Sequence, residues 1–213
     1  MNNLLRGSVI TTVRHNTYEY YLCPSMATHG CIYFGKGLKT YLESIKLYLS
    51  DINDTDEYVI NCNGRYTYPE DYYKFLKKRD EYKIYNFCKL DNNIIPYINI
   101  MDYAAKYSCK FIGKKFSFRQ RGNYCFEIIV KSYIASIKRM NHTLYKFNMI
   151  DIYVYKFYNS RSITNYINFY LVYKKYKNKT KQYNNSNCNF IIKKINNILY
   201  INSITNNEKI CIN

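Results

Sequence analysis

The chain has no tryptophan and little glycine or proline, with 7 Gly and 3 Pro in 213 residues. That scarcity excludes collagen-like and elastic classes, which need those residues at high frequency. No stretch reaches roughly 18 consecutive apolar residues, so no transmembrane helix is expected and a membrane is not among the expected partners. The start, Met1-Asn2-Asn3-Leu4-Leu5-Arg6, shows no basic region followed by an apolar run, so no signal peptide is expected either. Close cysteine pairs are also missing. The eight Cys stand at Cys23, Cys31, Cys62, Cys88, Cys109, Cys125, Cys188 and Cys211, with no CxxC among them. Without a secretory signal they are expected to be reduced and mostly buried.

Acidic residues are scarce in one half only. Residues 1–102 balance 12 Lys+Arg against 12 Asp+Glu, whereas residues 103–213 carry 20 against 3, which places the whole net charge of +17 there. Such asymmetry points to an anionic partner such as nucleic acid or a nucleotide, or to lysines that merely keep surfaces soluble. What is abundant is Tyr, with 28 residues, alongside 27 Asn, 27 Ile and 24 Lys. An AT-rich genome favours those codons, so part of this bias is mutational. A hydrophobic content of 47% excludes wholesale disorder.

The pattern along the chain predicts strands over Ser8–Val13, Thr17–Leu22 and Cys31–Phe34, then a helix over Lys39–Leu49 on three-four apolar spacing. Strands follow over Glu57–Asn61 and Arg65–Tyr68, joined around Asn63-Gly64 and closed by Pro69. Glu70–Arg79 reads as a short helix, and Tyr82–Leu90 and Ile94–Ile100 as strands. From Lys110 onward strand follows strand: Phe111–Phe118, Tyr124–Ile137, Leu144–Phe157, Ile163–Tyr173 and Phe190–Ile201, with an exposed Lys/Asn/Tyr-rich loop at about 173–189. The expectation is a mainly β (α+β) chain folded as one domain over 1–213 with a few flanking helices.

No assembled catalytic set stands out. Gly35-Lys36-Gly37 lacks both phosphate-loop patterns and reads as a tight strand-to-helix turn. Asp51, Asp54, Asp56 and Glu57 miss the spacing of a calcium loop and read as a solvated acidic turn. Cys23, His29 and Cys31 lie close together, but zinc needs a fourth ligand that the spacing does not announce. A Cys–His catalytic pair is open to any chain with eight Cys and three His, and nothing singles out its members. The basic half interleaves cations with rings: Lys114, Lys115, Arg119 and Arg121, then Lys174, Lys175 and Lys177. That chemistry suits a polyanion, with cations on phosphates and rings under bases. The sequence therefore predicts no catalytic residue, no metal site and no required cofactor.

Taken whole, the chain resembles the cypovirus polyhedrins, the crystalline occlusion-body proteins of insect viruses. The likeness starts at Asn2-Asn3-Leu4-Leu5-Arg6-Gly7-Ser8-Val9 and continues through Tyr33, Gly35, Asn53-Asp54, Asp56-Glu57-Tyr58, Asn61 and Tyr68-Pro69. Ile137-Lys138-Arg139 and Tyr158-Asn159-Ser160-Arg161-Ser162-Ile163 extend it. The resemblance implies a β-sandwich flanked by helices, self-association into trimers and a lattice, and packaging of virus particles. It places the protein in occlusion bodies in the cytoplasm of an infected cell. It further implies nucleotides bound between subunits, with Tyr48 and Asp54 at positions that match a nucleotide site. A lattice rich in Tyr and Lys would dissolve above about pH 10, where both groups titrate. A basic polyanion-binding protein is the second expectation, and a small viral nuclease the third.

Overall fold

The computed structural model describes residues 4–13, 27–90, 94–117, 122–142, 146–147, 150–152, 155–166, 168–176, 179–182, 190–195 and 198–203. Its frame is an antiparallel sheet. β1 (Val9–Val13) pairs with β2 (His29–Gly35) on one side and with β5 (Glu81–Leu90) on the other. β2 continues to β3 (Tyr58–Cys62) and β3 to the edge strand β4 (Thr67–Asp71). β5 also pairs with β6 (Ile94–Pro96) and with β9 (Phe169–Tyr176), and β10 (Lys179–Gln182) closes the far edge.

Alternation along the strands sorts side chains to two faces. Val9, Ile32, Phe34, Ile60, Tyr85 and Phe87 join one cluster, and Ile10, Cys31, Tyr33, Val59 and Ile84 the other. The first face is covered by α3 (Ile98–Ser108) and α4 (Cys125–Arg139), through Ile100, Met101, Ala104 and Ala105 of one and Phe126, Ile129, Val130, Tyr133 and Ile137 of the other. The second face is covered by the short α2 (Tyr72–Lys77), which brings Tyr72, Phe75 and Leu76. α1 (Leu38–Ser44) follows β2, and α5 (Ser160–Thr164) is started by an Asn159–Ser162 capping box. The hairpins β7 (Ile150–Ile152) with β8 (Tyr155–Phe157) and β11 (Phe190–Ile195) with β12 (Ile198–Ser203) complete the described elements.

The α+β, mainly β expectation holds, as do the strands at 9–13, 29–35, 58–62 and 81–90. The sandwich does not describe what is seen: helices cover both sheet faces, and no second large sheet packs on the first among the described residues. Tyr124–Ile137 is the helix α4 and not a strand. Its buried side chains at 126, 129, 130, 133 and 137 follow helical spacing, obscured by further buried residues at 127, 128, 132 and 136. Phe111–Phe118 is no strand either: a 3-10 turn over Cys109–Phe111 leads into two isolated bridges, Tyr66 to Lys115 and Ser117 to Asn123.

Three further boundaries move. Ile94–Ile100 stops as a strand at Pro96, and α3 takes over from Ile98. Ile163–Tyr173 divides between α5 and β9. α1 ends at Ser44 and not at Leu49, because Lys46 turns to φ 61° and sends Leu47 and Leu49 back against the large cluster. Pro69 lies inside β4, which an edge strand tolerates since a free side needs no N–H. The predicted loop at 173–189 is ladder over Tyr173–Tyr176 and Lys179–Gln182, and 177–178 and 183–189 lie outside the described residues, as do Thr17–Leu22.

Many tyrosines serve as core. Tyr33, Tyr58, Tyr72, Tyr82, Tyr85, Tyr124, Tyr133 and Tyr166 are buried. Burial pushes the Tyr41 and Tyr68 phenols up to about 12, and those of Tyr33, Tyr72 and Tyr133 rise further for the same reason. A surface that titrates near pH 10 is therefore not what most of these rings provide.

Candidate active site

Of the described cysteines, Cys31, Cys62, Cys88 and Cys109 are buried, and Cys125 alone is partly exposed. It is the first residue of α4. Tyr124, which caps that helix, is extended and makes no side-chain cap hydrogen bond, so the first amides of α4 keep their donors for other use. The phenol of Tyr124 instead anchors the chain from elsewhere, accepting from the Tyr158 amide at 2.7 Å. Lys131 ties down the approach, donating to the Gly122 carbonyl at 2.9 Å and pairing with Glu127 at 3.2 Å.

The backbones of Gly30, Phe126 and Cys125 itself act on the Cys125 thiol, each favouring its ionised form. Burial nonetheless pushes it up to about 12, so at neutral pH the resting group is a thiol. Gly30 is what lets α4 come this close. A Cβ there would stand 2.8 Å from Phe126 Cε1 and 2.9 Å from Ile129 Cδ1. Pairing of β2 with β3 begins only at Ile32 and Ile60, so the strands are unladdered beside Gly30 and Cys62. Cys62 packs with Ile128 and Cys125 there, and its thiol reaches the Asn123 carbonyl at 3.6 Å.

One residue before Gly30 stands His29, partly exposed at the start of β2. Its Nε2 lies 2.6 Å from Oδ1 of Asn61 on β3. Asn61 Nδ2 donates to Glu70 Oε2 at 2.7 Å, the Tyr68 hydroxyl donates to the same oxygen at 2.9 Å, and Lys78 Nζ reaches Oε1 at 2.8 Å. Burial raises the Glu70 carboxyl, but the bonds from Lys78, Tyr68 and Asn61 outweigh it and hold the group below its usual range. The chain thus brings a largely buried thiol, on a partly exposed residue at a helix N-terminus, to Gly30, the residue next to an amide-oriented imidazole. A nucleophile, a base and an orienting group in that order are the parts of a thiol hydrolase.

The other predicted residues do not gather here. Tyr48 is 74% exposed and lines a pocket of about 450 Å³ with Lys39, Leu42 and Leu49. Asp54 binds Thr40 through its amide, at 3.0 Å, and its hydroxyl, and these bonds hold its carboxyl below the usual range. Lys114 lies over the Phe111 ring and Lys115 bridges to Tyr66, whereas Lys174 and Lys175 sit on β9 opposite β10. Arg119, Arg121 and Lys177 lie outside the described residues. Among the described residues no group of three or more His, Cys, Asp or Glu could hold a metal ion. The same residues include no helix long and apolar enough to cross a membrane.

The sequence did contain a signal for the site. A His-Gly pair opens a strand, and a Cys stands immediately before apolar residues at helical spacing. Reading 124–137 as a strand removed the helix N-terminus that gives Cys125 its meaning.

No curated protein and no solved structure matches the chain. The sequence model of one family does, over residues 3–173: permuted papain-like amidase enzymes, YaeF/YiiX, C92 family. That span runs from before β1 into β9 and contains His29, Asn61 and Cys125. The match overturns the polyhedrin resemblance, and with it the structural role, the occlusion-body location and the expectation of a protein without catalysis. It supports neither the polyanion-binding reading nor the nuclease. The polyhedrin likeness rested on short pieces, none specific alone, in a chain whose codon bias favours Asn, Ile and Tyr. With most of its length matched, the chain belongs to the permuted papain-like amidase family.

Proposed function

We propose that the protein is a thiol-dependent amidase in which Cys125 is the nucleophile, His29 the general base and acid, and Asn61 the residue that orients His29. The observation that carries this reading is the partly exposed Cys125 at the start of α4, whose thiol is acted on by the backbone of Gly30, the chain neighbour of a His29 imidazole held by Asn61. Family membership supplies the reaction class.

The chemistry follows from the parts. As Cys125 Sγ attacks the substrate carbonyl carbon, its proton passes to Nδ1 of His29. The charge that develops on the carbonyl oxygen meets the first backbone amides of α4, which point at the thiol and lie at the positive end of the helix dipole. The C–N bond then breaks, His29 returns the proton to the leaving nitrogen, and a thioester remains on Cys125. Water attacks that thioester after giving a proton to His29, the C–S bond breaks, and the thiol is restored. Asn61, accepting from Nε2–H, steadies the imidazolium in both halves. A thiol that rests protonated fits a base-assisted attack rather than a standing thiolate–imidazolium pair.

The test is an assay of the purified chain on a panel of N-acyl p-nitroanilides and peptidyl aminocoumarins. Wild-type protein should release the amine and, after rapid acid quench, carry the acyl group on the peptide containing Cys125. Cys125→Ser should keep the circular dichroism spectrum and lose turnover. Turnover retained by a folded Cys125→Ala variant would overturn the assignment.

A further inference from the structure

We infer that Glu70 is a positioning residue that locks the side-chain amide of Asn61 and thereby fixes which nitrogen of His29 carries the proton. The inference rests on the amidase reading above, but it concerns a residue that touches neither thiol nor substrate. A primary amide has an acceptor end and a donor end of nearly the same shape. If Asn61 offers its oxygen to His29, Nε2 must carry a hydrogen and Nδ1 is the bare base. If it offers its NH2 group, the assignment reverses and Nδ1 holds the proton that catalysis needs it to receive. His29 alone does not decide between the two.

Glu70 does. An ionised carboxylate only accepts, so it takes the NH2 end of Asn61 and leaves the oxygen for His29. The observed distances agree: 2.7 Å from Asn61 Nδ2 to Glu70 Oε2 and 2.6 Å from Asn61 Oδ1 to His29 Nε2. Asn61 is 1% exposed and Glu70 8%, so water offers no easy replacement for either bond. Turning the amide over would set oxygen against carboxylate in that dry setting. The carboxylate is in turn held by the Tyr68 hydroxyl and the Lys78 ammonium. Arg79 and the buried Cys31 are the other ionisable groups near it, since both Glu70 and Arg79 act on the Cys31 thiol. The row Lys78, Glu70, Asn61, His29 therefore runs from an exposed cation through one obligatory acceptor to the base.

The test needs no substrate. The full chain has three histidines, His15, His29 and His142, so 15N-labelled imidazoles can be assigned with His15→Gln and His142→Gln variants. Two-bond proton–nitrogen spectra at pH 8 should show His29 wholly as the Nε2–H tautomer. Glu70→Gln, whose amide can donate or accept, should bring in the Nδ1–H form and slow alkylation of Cys125 by iodoacetamide. Lys78→Met, which leaves the acceptor in place, should keep the single tautomer. Glu70→Gln with His29 still wholly Nε2–H would overturn the inference, since that is what a merely structural Glu70 predicts. Should Glu70→Gln fail to fold, an Nδ1–H tautomer in the wild-type protein would overturn it equally. Neither outcome bears on whether Cys125 is the nucleophile, which the Cys125→Ser assay decides separately.

Discussion

The two faces of the sheet are built for different work. Under α3 and α4 lies a large apolar cluster, knit by rings such as Phe87, Tyr133 and Phe169 in mutual contact. Under α2 the apolar cluster is smaller, and beside it runs a row of polar side chains bonded one to the next from His29 to Lys78. The apolar face delivers the thiol, because burying the stripe of α4 fixes where its first residue lies. The polar face delivers the base, because buried hydrogen-bonding groups must be partnered and so hold one geometry. The two meet at Gly30, where the ladder between β2 and β3 is open. Positioning by packing and positioning by hydrogen bonds should fail differently, and each can be tested alone.

The largest effect is expected at the meeting point. Gly30→Val forces atoms against Phe126 and Ile129, and should cost roughly 1–3 kcal/mol of stability by overpacking. Amidase turnover should fall well beyond that cost, because α4 must shift and carry Cys125 with it. Urea unfolding and turnover measured on one preparation check both; normal turnover in a destabilised protein would separate the thiol from the apolar packing. Next comes the thiol itself. With Cys125 pushed up to about 12, iodoacetamide alkylation should climb about tenfold per pH unit from pH 6 to 9. A plateau across that range would mean that the polar face already stabilises a thiolate at rest.

Alkali should attack both faces together. Tyr41 belongs to the apolar-face cluster and Tyr72 to the α2 face, and both phenols are raised by burial. A group held protonated in the fold stabilises it below the unfolded-state value, and that contribution is lost as pH rises through the folded one. Unfolding should therefore set in above about pH 10, with phenolate absorbance and loss of helical signal coinciding. Absorbance that rises with the helix intact would place the ionising rings on the surface.

The polar face should be sensitive to acid through Glu70. Glu70 is depressed, so its contribution is present above the ordinary carboxyl range and disappears as pH falls through the folded value. Glu70→Gln should cost about 1–2 kcal/mol at pH 7, limited because Lys78 is largely exposed, and the gap to wild type should close near pH 3. A gap independent of pH would assign the loss to shape rather than charge. The smallest effect is expected far from the seam: Tyr48→Ser should change stability by less than about 0.5 kcal/mol in a urea titration, since the ring is largely in solvent.

The strands Val9–Val13 and Tyr58–Cys62 were legible through their β-branched residues and, for the second, the Asn63-Gly64 turn that follows it, although burial on both faces leaves no polar alternation in either. α4 was not legible, because a helix buried on most of its circumference loses the polar stripe that marks its period. The site followed from that failure. His29 was in view, and so was a Cys–His pairing in principle. Cys125 gains its role only from a helix start, and Asn61 and Glu70 only from strand register, neither of which spacing along the chain records. The abundance of Tyr misled in the opposite direction: it spoke for contacts between molecules, whereas Tyr58, Tyr85, Tyr133 and Tyr166 are spent inside one.

The order of the site along the chain has a consequence for how the protein comes into being. His29, Asn61 and Glu70 are all synthesised long before Cys125. Translation proceeds at roughly 5–20 residues per second, so the sheet strands carrying the base wait several seconds for the helix that carries the nucleophile. During that time the nascent chain lacks its reactive thiol beside the imidazole. Arming the site and sealing the apolar face are then a single event, the docking of α4.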